Sequence, residues 1–156
     1  MVRKANLDDI SSITLLYREQ FKEMSKLIPD FIKNGDQSID FIEKIITNED
    51  SDFLVYEDNS KVVGFILLQA KQRPNFSFIV PGKHCYIMDL IITENQRNKG
   101  FGTALMNSAK NWAKKQDCNI VTLDVLSNNP NAIALYEKLG FISKAQEMYY
   151  KIECER

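Results

Sequence analysis

The stretch Gln96-Arg97-Asn98-Lys99-Gly100-Phe101-Gly102-Thr103 sets two glycines and two cations between the most apolar strand pattern of the chain and a run with helical spacing. Glycines at 100 and 102 allow a sharp turn and let a ligand approach the main chain closely. The first N–H groups of the following helix have no internal partner, and the dipole favours negative charge there. With Arg97 and Lys99 alongside, this makes an anion site whose natural occupant is a phosphate or pyrophosphate. A tight, solvated turn with charged residues is the plain alternative. Two familiar phosphate loops fail on residue type. Lys99 to Thr103 does not supply the GxxxxGK[ST] of a P-loop. A dinucleotide fingerprint needs Gly or Ala where Leu105 stands, although Asp124 lies about 20 residues on, at the ribose-binding spacing.

Other candidates are isolated side chains. Tyr136 falls on the apolar stripe Ala132, Leu135, Tyr136, Leu139, which on spacing alone marks a core aromatic. Asn129, beside Pro130, reads as a turn-former or helix cap. His84, the single histidine, begins a strand and has an ordinary pKa near 6.5. Asp89 lies on that strand, where alternation points it to the opposite face from Tyr86, Met88 and Leu90 unless a bulge intervenes. Glu94 reads as a charged loop residue. Cys85 reads as a buried apolar residue rather than a nucleophile. One histidine and scattered carboxylates do not make a metal ligand set, so no metal is expected.

The elements that must position these residues follow from periodicity. Val2–Lys4 predicts a short strand. Ile10, Ile13, Leu16, Tyr17, Phe21 and Met24 predict a helix with one buried stripe, capped by Asn6 or Asp8. A second helix is expected over Ser38–Thr47. Phe53–Tyr56 and Val62–Leu68 form a hairpin around Asp58-Asn59-Ser60. Gln72–Lys83 reads as a long loop, with a short strand at Phe76–Val80 as an alternative. Cys85–Ile92 is nearly continuous apolar sequence, as in a strand covered on both faces. A helix from about Gly100 to Lys115, a strand at Ile120–Leu126 and a helix at Ala132–Leu139, stopped by Gly140, come next. Phe141–Ser143 and Met148–Glu153 are expected to close the sheet as two strands. The sum is a mixed α/β sheet with helices on both faces.

Composition bounds the function classes. The 156 residues fit a single domain spanning 1–156, with 44% hydrophobic and 26% charged residues in the globular range. A net charge of −1 gives no support for a nucleic-acid or anionic-membrane binder. No apolar run approaches the roughly 20 residues that span a bilayer, and the start turns acidic at Asp8 and Asp9 before any signal-like apolar region. Cys85, Cys118 and Cys154 are odd in number with no short spacing, which argues against a disulfide framework or a CxxC site. The expectation is a soluble cytoplasmic chain, monomeric or a homo-oligomer such as a homodimer.

Arg97-Asn98-Lys99-Gly100-Phe101-Gly102 matches the [Q/R]-x-x-G-x-[G/A] acyl-CoA signature of the GCN5-related N-acetyltransferase family. Asn129-Pro130-Asn131-Ala132-Ile133-Ala134-Leu135-Tyr136-Glu137-Lys138-Leu139-Gly140-Phe141 is similar to the family's second motif, in the right order and with a strand and helix between. The opening residues also resemble the family, so the likeness covers essentially the whole chain. The resemblance implies a mostly antiparallel sheet of about six to seven strands, with strands 4 and 5 splayed. It implies acetyl-CoA as cosubstrate, its pyrophosphate on the amides of Arg97, Asn98, Lys99, Gly100, Phe101 and Gly102, with Thr103 opening the helix. The pantetheine would pair with Leu90, Ile91 and Ile92 and be steadied by Asn129. Tyr136 would protonate the departing thiolate. The acceptor would be a primary amine, on a small molecule, a protein N-terminus or a lysine, attacking directly while backbone N–H groups near a strand bulge hold the oxyanion. Met88 stands where many relatives carry a basic Glu, which leaves water, Asp89, His84 or Glu94 to take the proton. A non-catalytic CoA-binding or regulatory module on the same fold, and a dinucleotide-dependent oxidoreductase, are the competing readings.

Overall fold

The computed structural model describes residues 1–153; Cys154 lies outside the described residues. Asn6 is the cap between the two candidates. Its side chain accepts the Asp8 N–H while Asp9 accepts the Asn6 N–H, both at 2.9 Å, a capping box that starts a short 3-10 turn into α1 (Ile10–Leu27). Ser38 caps α2 (Ile39–Ile46). The sheet runs β1 (Val2–Lys4), β2 (Ser51–Asp58), β3 (Lys61–Gln72), β4 (Lys83–Ile92) and β5 (Cys118–Leu123) in sequence order. The first three pairings are antiparallel and β4–β5 is parallel. Asn59 and Ser60, at φ of 48° and 61°, make the tight β2–β3 turn that matches strand twist.

Two cores sandwich the sheet. On one face α1 and α2 bury Tyr17 and Ile42 against Phe53, Phe65 and Leu67. On the other, α3 (Phe101–Lys115) buries Leu105, Met106 and Trp112 against Ile66 and Leu68, with Tyr136 of α4 (Pro130–Lys138) packed alongside. A buried hydrogen bond from Trp112 Nε1 to Asp52 Oδ2, 2.7 Å, ties α3 to β2.

The sheet departs from expectation in its strand count. It has five strands among the described residues, not six to seven. Phe141–Ser143 and Met148–Glu153 form no strand, and neither does Phe76–Val80. Residues past α4 leave through a Schellman turn, with Gly140 at φ 89°, Gly140 N bonded to Glu137 O and Phe141 N to Tyr136 O. They then run toward the α1–α2 connection, where the Tyr149 ring meets Phe31 at 4.8 Å and Lys151 Nζ reaches Asp30 at 2.8 Å. Those contacts, rather than β5, hold the segment.

The strand bulge that the resemblance implied is present, in β4. Leu67 stands opposite Asp89 and Leu68 opposite Ile87, so Met88 has no partner on β3. One extra residue inverts the alternation beyond it. Cys85 and Ile87 belong to the α3 core, whereas Ile91 belongs to the α1 core. Asp89 therefore shares the face of Tyr86, which corrects the simple alternation. Pairing with β5 also ends at Ile87–Leu123, so β4 beyond the bulge diverges from β5, the expected splay.

Candidate active site

The glycine loop is built to leave amides free. Asn98 at φ 61° and Gly100 at φ 84° turn the chain sharply into α3. No side chain caps that helix, whereas Ser38 and Asn129 cap α2 and α4. Its first turn closes from Ala104 N to Gly100 O at 3.0 Å, leaving the N–H groups of Phe101, Gly102 and Thr103 ahead of the ladder. A side chain at 100 would meet nothing within 4 Å, and one at 102 would only touch Leu135 at 3.6 Å, so the loop is open on the Cβ side of both glycines. Phe101 stacks on Tyr56 at 4.1 Å between ring centroids, which pins the helix start to the sheet. Leu90, Ile91 and Ile92 lie on the stretch of β4 without a β5 partner.

The loop cations are engaged within the chain. Arg97 donates through Nε to Ile92 O at 2.8 Å and through Nη2 to Glu23 at 2.6 Å, with Glu19 at 3.9 Å. Lys99 Nζ donates to Gln96 Oε1 at 2.7 Å. The attraction for an anion therefore rests on the helix amides more than on the side chains. Glu19 and Glu23 fall one helical turn apart on α1, and Glu19 also accepts from Thr93 Oγ1 and Glu94 N. That spacing was the available signal that α1 docks on this loop. Asp36 pairs with Arg18, so all four acidic residues of this region (Glu19, Glu23, Asp30, Asp36) have partners in the chain.

Across the gap, Asp89 is held from α1. Tyr17 donates its hydroxyl to Oδ2 at 2.8 Å and Gln20 its Nε2 to Oδ1 at 3.3 Å. Burial pushes the Asp89 carboxyl above the usual carboxylate range, and the two donors offset part of that rise. Tyr136 is pushed up by burial first and then by the negative charge of Asp89. Its ring tilts against Phe141 at 5.9 Å. Tyr17 and Gln20 escaped sequence reasoning as site residues. Tyr17 looked like core, which it also is.

The remaining candidates resolve differently. Asn129 accepts from Ala132 N at 3.3 Å and is the α4 cap. His84 is held low, by burial and then by Arg73, Lys71 and Lys144, and lies at the loop end of β4, five residues before Asp89. Cys85 is buried, and its thiol is pushed up to about 12 by burial, so it is no nucleophile near neutral pH. Asp124 accepts from the Tyr86 hydroxyl at 2.9 Å.

The profile of the acetyltransferase (GNAT) family matches residues 12–141. The chain is 30% identical over 153 residues to YhfO of Bacillus subtilis, an uncharacterized N-acetyltransferase, across 96% of this chain and 94% of YhfO. A mutant of the BH1408 protein from Bacillus halodurans superposes with a TM-score of 0.94 at 22% identity, over 98% of this chain and 99% of that one. AAC(6')-Iy, solved with the bisubstrate analog CoA-S-monomethyl-acetylneamine, superposes with a TM-score of 0.75 at 14% identity, over 99% and 98% of the two chains. At those identities the two solved structures show a shared fold.

Proposed function

The chain belongs to the acetyltransferase (GNAT) family, and on that premise we propose that residues 1–156 act as one domain that moves an acetyl group from acetyl-CoA to a primary amine by direct transfer. The observation that carries the reading is the uncapped start of α3 opening beside the gap between β4 and β5. A diphosphate fits there because α3 starts with three N–H groups that no carbonyl of the helix takes.

Main-chain amides of residues 98–102, with Thr103, hold the pyrophosphate; the Arg97 N–H is already given to Glu94 O at 3.3 Å, so that residue contributes no free amide. The free side of Leu90, Ile91 and Ile92 offers strand-like pairing to an extended pantetheine, and Asn129 still has its amide NH₂ to give while its oxygen caps α4. Bound acetyl-CoA would supply an activated thioester in the gap. The unpaired backbone at Met88 is the place for an N–H to meet developing negative charge on the carbonyl oxygen. Asp89 takes the proton from the amine, a role Met88 cannot fill, and its raised pKa makes it a better base than an exposed carboxylate. Tyr136 gives a proton to the departing sulfur; burial, and then the Asp89 charge, keep that hydroxyl protonated until then. The two substrates enter from opposite faces, the amine from the α1 side and the acyl donor from the α3–α4 side. Proximity in one gap supplies much of the acceleration. Free thiols at Cys85 and Cys118 fit a reducing cytoplasm.

Acetyl-CoA is expected to raise the melting temperature while NAD and NADP do not, since a ligand of the native state stabilises by mass action. No shift with acetyl-CoA removes the proposal. Release of free thiol with an amine panel then tests transfer; binding without release for any amine favours the non-catalytic module. Tyr136→Phe is expected to lower turnover tenfold or more, on the order of a lost general acid, with acetyl-CoA affinity unchanged. Equal turnover takes Tyr136 out of the acid role.

A further inference from the structure

The connection from β3 to β4 presents an apolar tip that the fold does not bury. Phe76, Phe78 and Val80 are 58%, 80% and 72% exposed, and the two rings lie parallel with 5.6 Å between centroids. Single apolar residues on a surface need no explanation, but these share one turn. The tip is also braced. Arg73 gives its backbone N–H to Gly82 O and its Nη1 to Val80 O, both at 3.0 Å, and its Nη2 bonds Asn119 of β5. Gln72 Nε2 reaches Gly82 O at 3.1 Å, and the Phe76 and Ile79 N–H groups are given to Pro74 O and Phe76 O. Pro74 and Pro81 have no N–H to satisfy. Such a turn leaves water with few stranded backbone groups, which is the condition a lipid medium imposes.

Positive charge surrounds the base of the tip. Lys71 and Lys83 flank it on β3 and β4, and α3 ends in Lys114 and Lys115 just ahead of β5, whose Cys118 lies beside Lys83. Arg73 and Lys144 stand near enough to act, with Lys71, on His84. These cations outnumber the acidic residues at this end of the sheet, which are Asp117 and, ahead of β2, Glu49 and Asp50. The overall charge of −1 averages over that asymmetry, because Glu19, Glu23, Asp30 and Asp36 belong to α1 and its connection to α2.

We propose that this tip docks the protein on an anionic lipid surface, with Phe76, Phe78 and Val80 entering the headgroup boundary and Lys71, Lys83, Lys114 and Lys115 meeting the anionic headgroups. A convex apolar point inside a basic collar uses both halves of such an interface. An acidic polypeptide would engage the collar and leave the rings in water. The surface is separate from acetyl transfer. From Lys83 to Ile92, β4 has 10 residues, roughly 30 Å at strand rise, so the glycine loop at its far end stands clear of the lipid.

Co-sedimentation of the whole chain with vesicles tests this. The chain is expected to bind phosphatidylcholine vesicles that contain phosphatidylserine and not phosphatidylcholine alone. Salt should release it as the screening length falls from about 10 Å at 0.1 M to about 3 Å at 1 M. Phe76→Ser with Phe78→Ser, and separately Lys114→Glu with Lys115→Glu, should each weaken binding roughly tenfold or more. In a Phe78→Trp variant, lipids brominated on their acyl chains should quench the fluorescence that this residue adds, while the signal of Trp112, packed in the α3 core, stays constant. A parent chain that does not sediment with the mixed vesicles overturns the proposal. So does undiminished binding by the Phe76 and Phe78 double variant. Binding without quenching overturns it too, and assigns the collar to a soluble acidic partner. The parent and the Phe78→Trp variant decide even if a double variant fails to fold.

Discussion

Asp89→Asn is expected to cut turnover by roughly 10²–10⁴, the range for loss of a general base, with acetyl-CoA affinity unchanged and a melting temperature at neutral pH equal to the parent's or higher. The geometry makes both halves follow. Asp89 receives two donors, Tyr17 and Gln20, and burial pushes its carboxyl up. A carboxyl whose pKa rises on folding binds its proton more tightly in the native state. Stability then declines as pH rises from about 4 through the raised value, and at pH 7 the protein carries a desolvated charge. The asparagine amide removes that charge. Its NH₂ also gains an acceptor if Gln20 turns over, because Gln20 Oε1 is buried with no partner in the parent. The pH profile separates a base from a scaffold. The parent's rate should fall as pH drops through the raised Asp89 pKa, and that acid limb should vanish in the variant. A variant that loses stability and keeps the acid limb would make Asp89 a structural carboxylate and return proton removal to water.

The same aspartate marks where the sequence stopped being legible. Element types and order could be read because buried stripes repeat at helical or strand period: Ile13, Leu16 and Tyr17 face the core as their spacing requires, and Ser38 and Gly140 end their helices where their backbone chemistry dictates. The glycine loop was legible for the same reason, since positive φ at Gly100 leaves a residue-type signature. The bulge leaves none. Met88 is an ordinary strand residue, neither Gly nor Pro, and the extra residue is defined only by its absent partner on β3. Everything beyond it changes face, which brought Asp89 onto the side of Tyr17. The segment after α4 failed in another way. Its period-2 pattern is real, but a pattern states which face wants burial and not which strand will supply it. Likewise Arg97 and Lys99 announced positive charge, while their partners on α1 and in the loop are long-range or local contacts that composition cannot show.

Gly64→Ala is expected to lower the melting temperature by about 5 °C or more, combining an overpacking cost of roughly 1–3 kcal/mol or above with roughly 2–4 °C per kcal/mol for a domain of this size. Gly64 pairs across the β3–β4 ladder with Ile92, the last residue before the chain turns toward the glycine loop. A methyl group there would sit 2.4 Å from Ile92 Cδ1 and 2.5 Å from Ile91 O. The Ile92 side chain can rotate away. The Ile91 carbonyl cannot, because it belongs to the strand backbone, so β3 and β4 must separate locally. The displaced stretch is the one proposed to pair with pantetheine, and Arg97 Nε is anchored on Ile92 O. Acetyl-CoA affinity should therefore fall together with stability. Gly35→Ala is the matched control: nothing lies within 4 Å of the added carbon and its φ is not positive, so both quantities should stay at parent values. Equal melting temperatures for Gly64→Ala and the parent would mean that Ile91 and Ile92 shift freely. The pantetheine-facing strand would then owe its position to α1 and the Arg97 contacts instead of to β3.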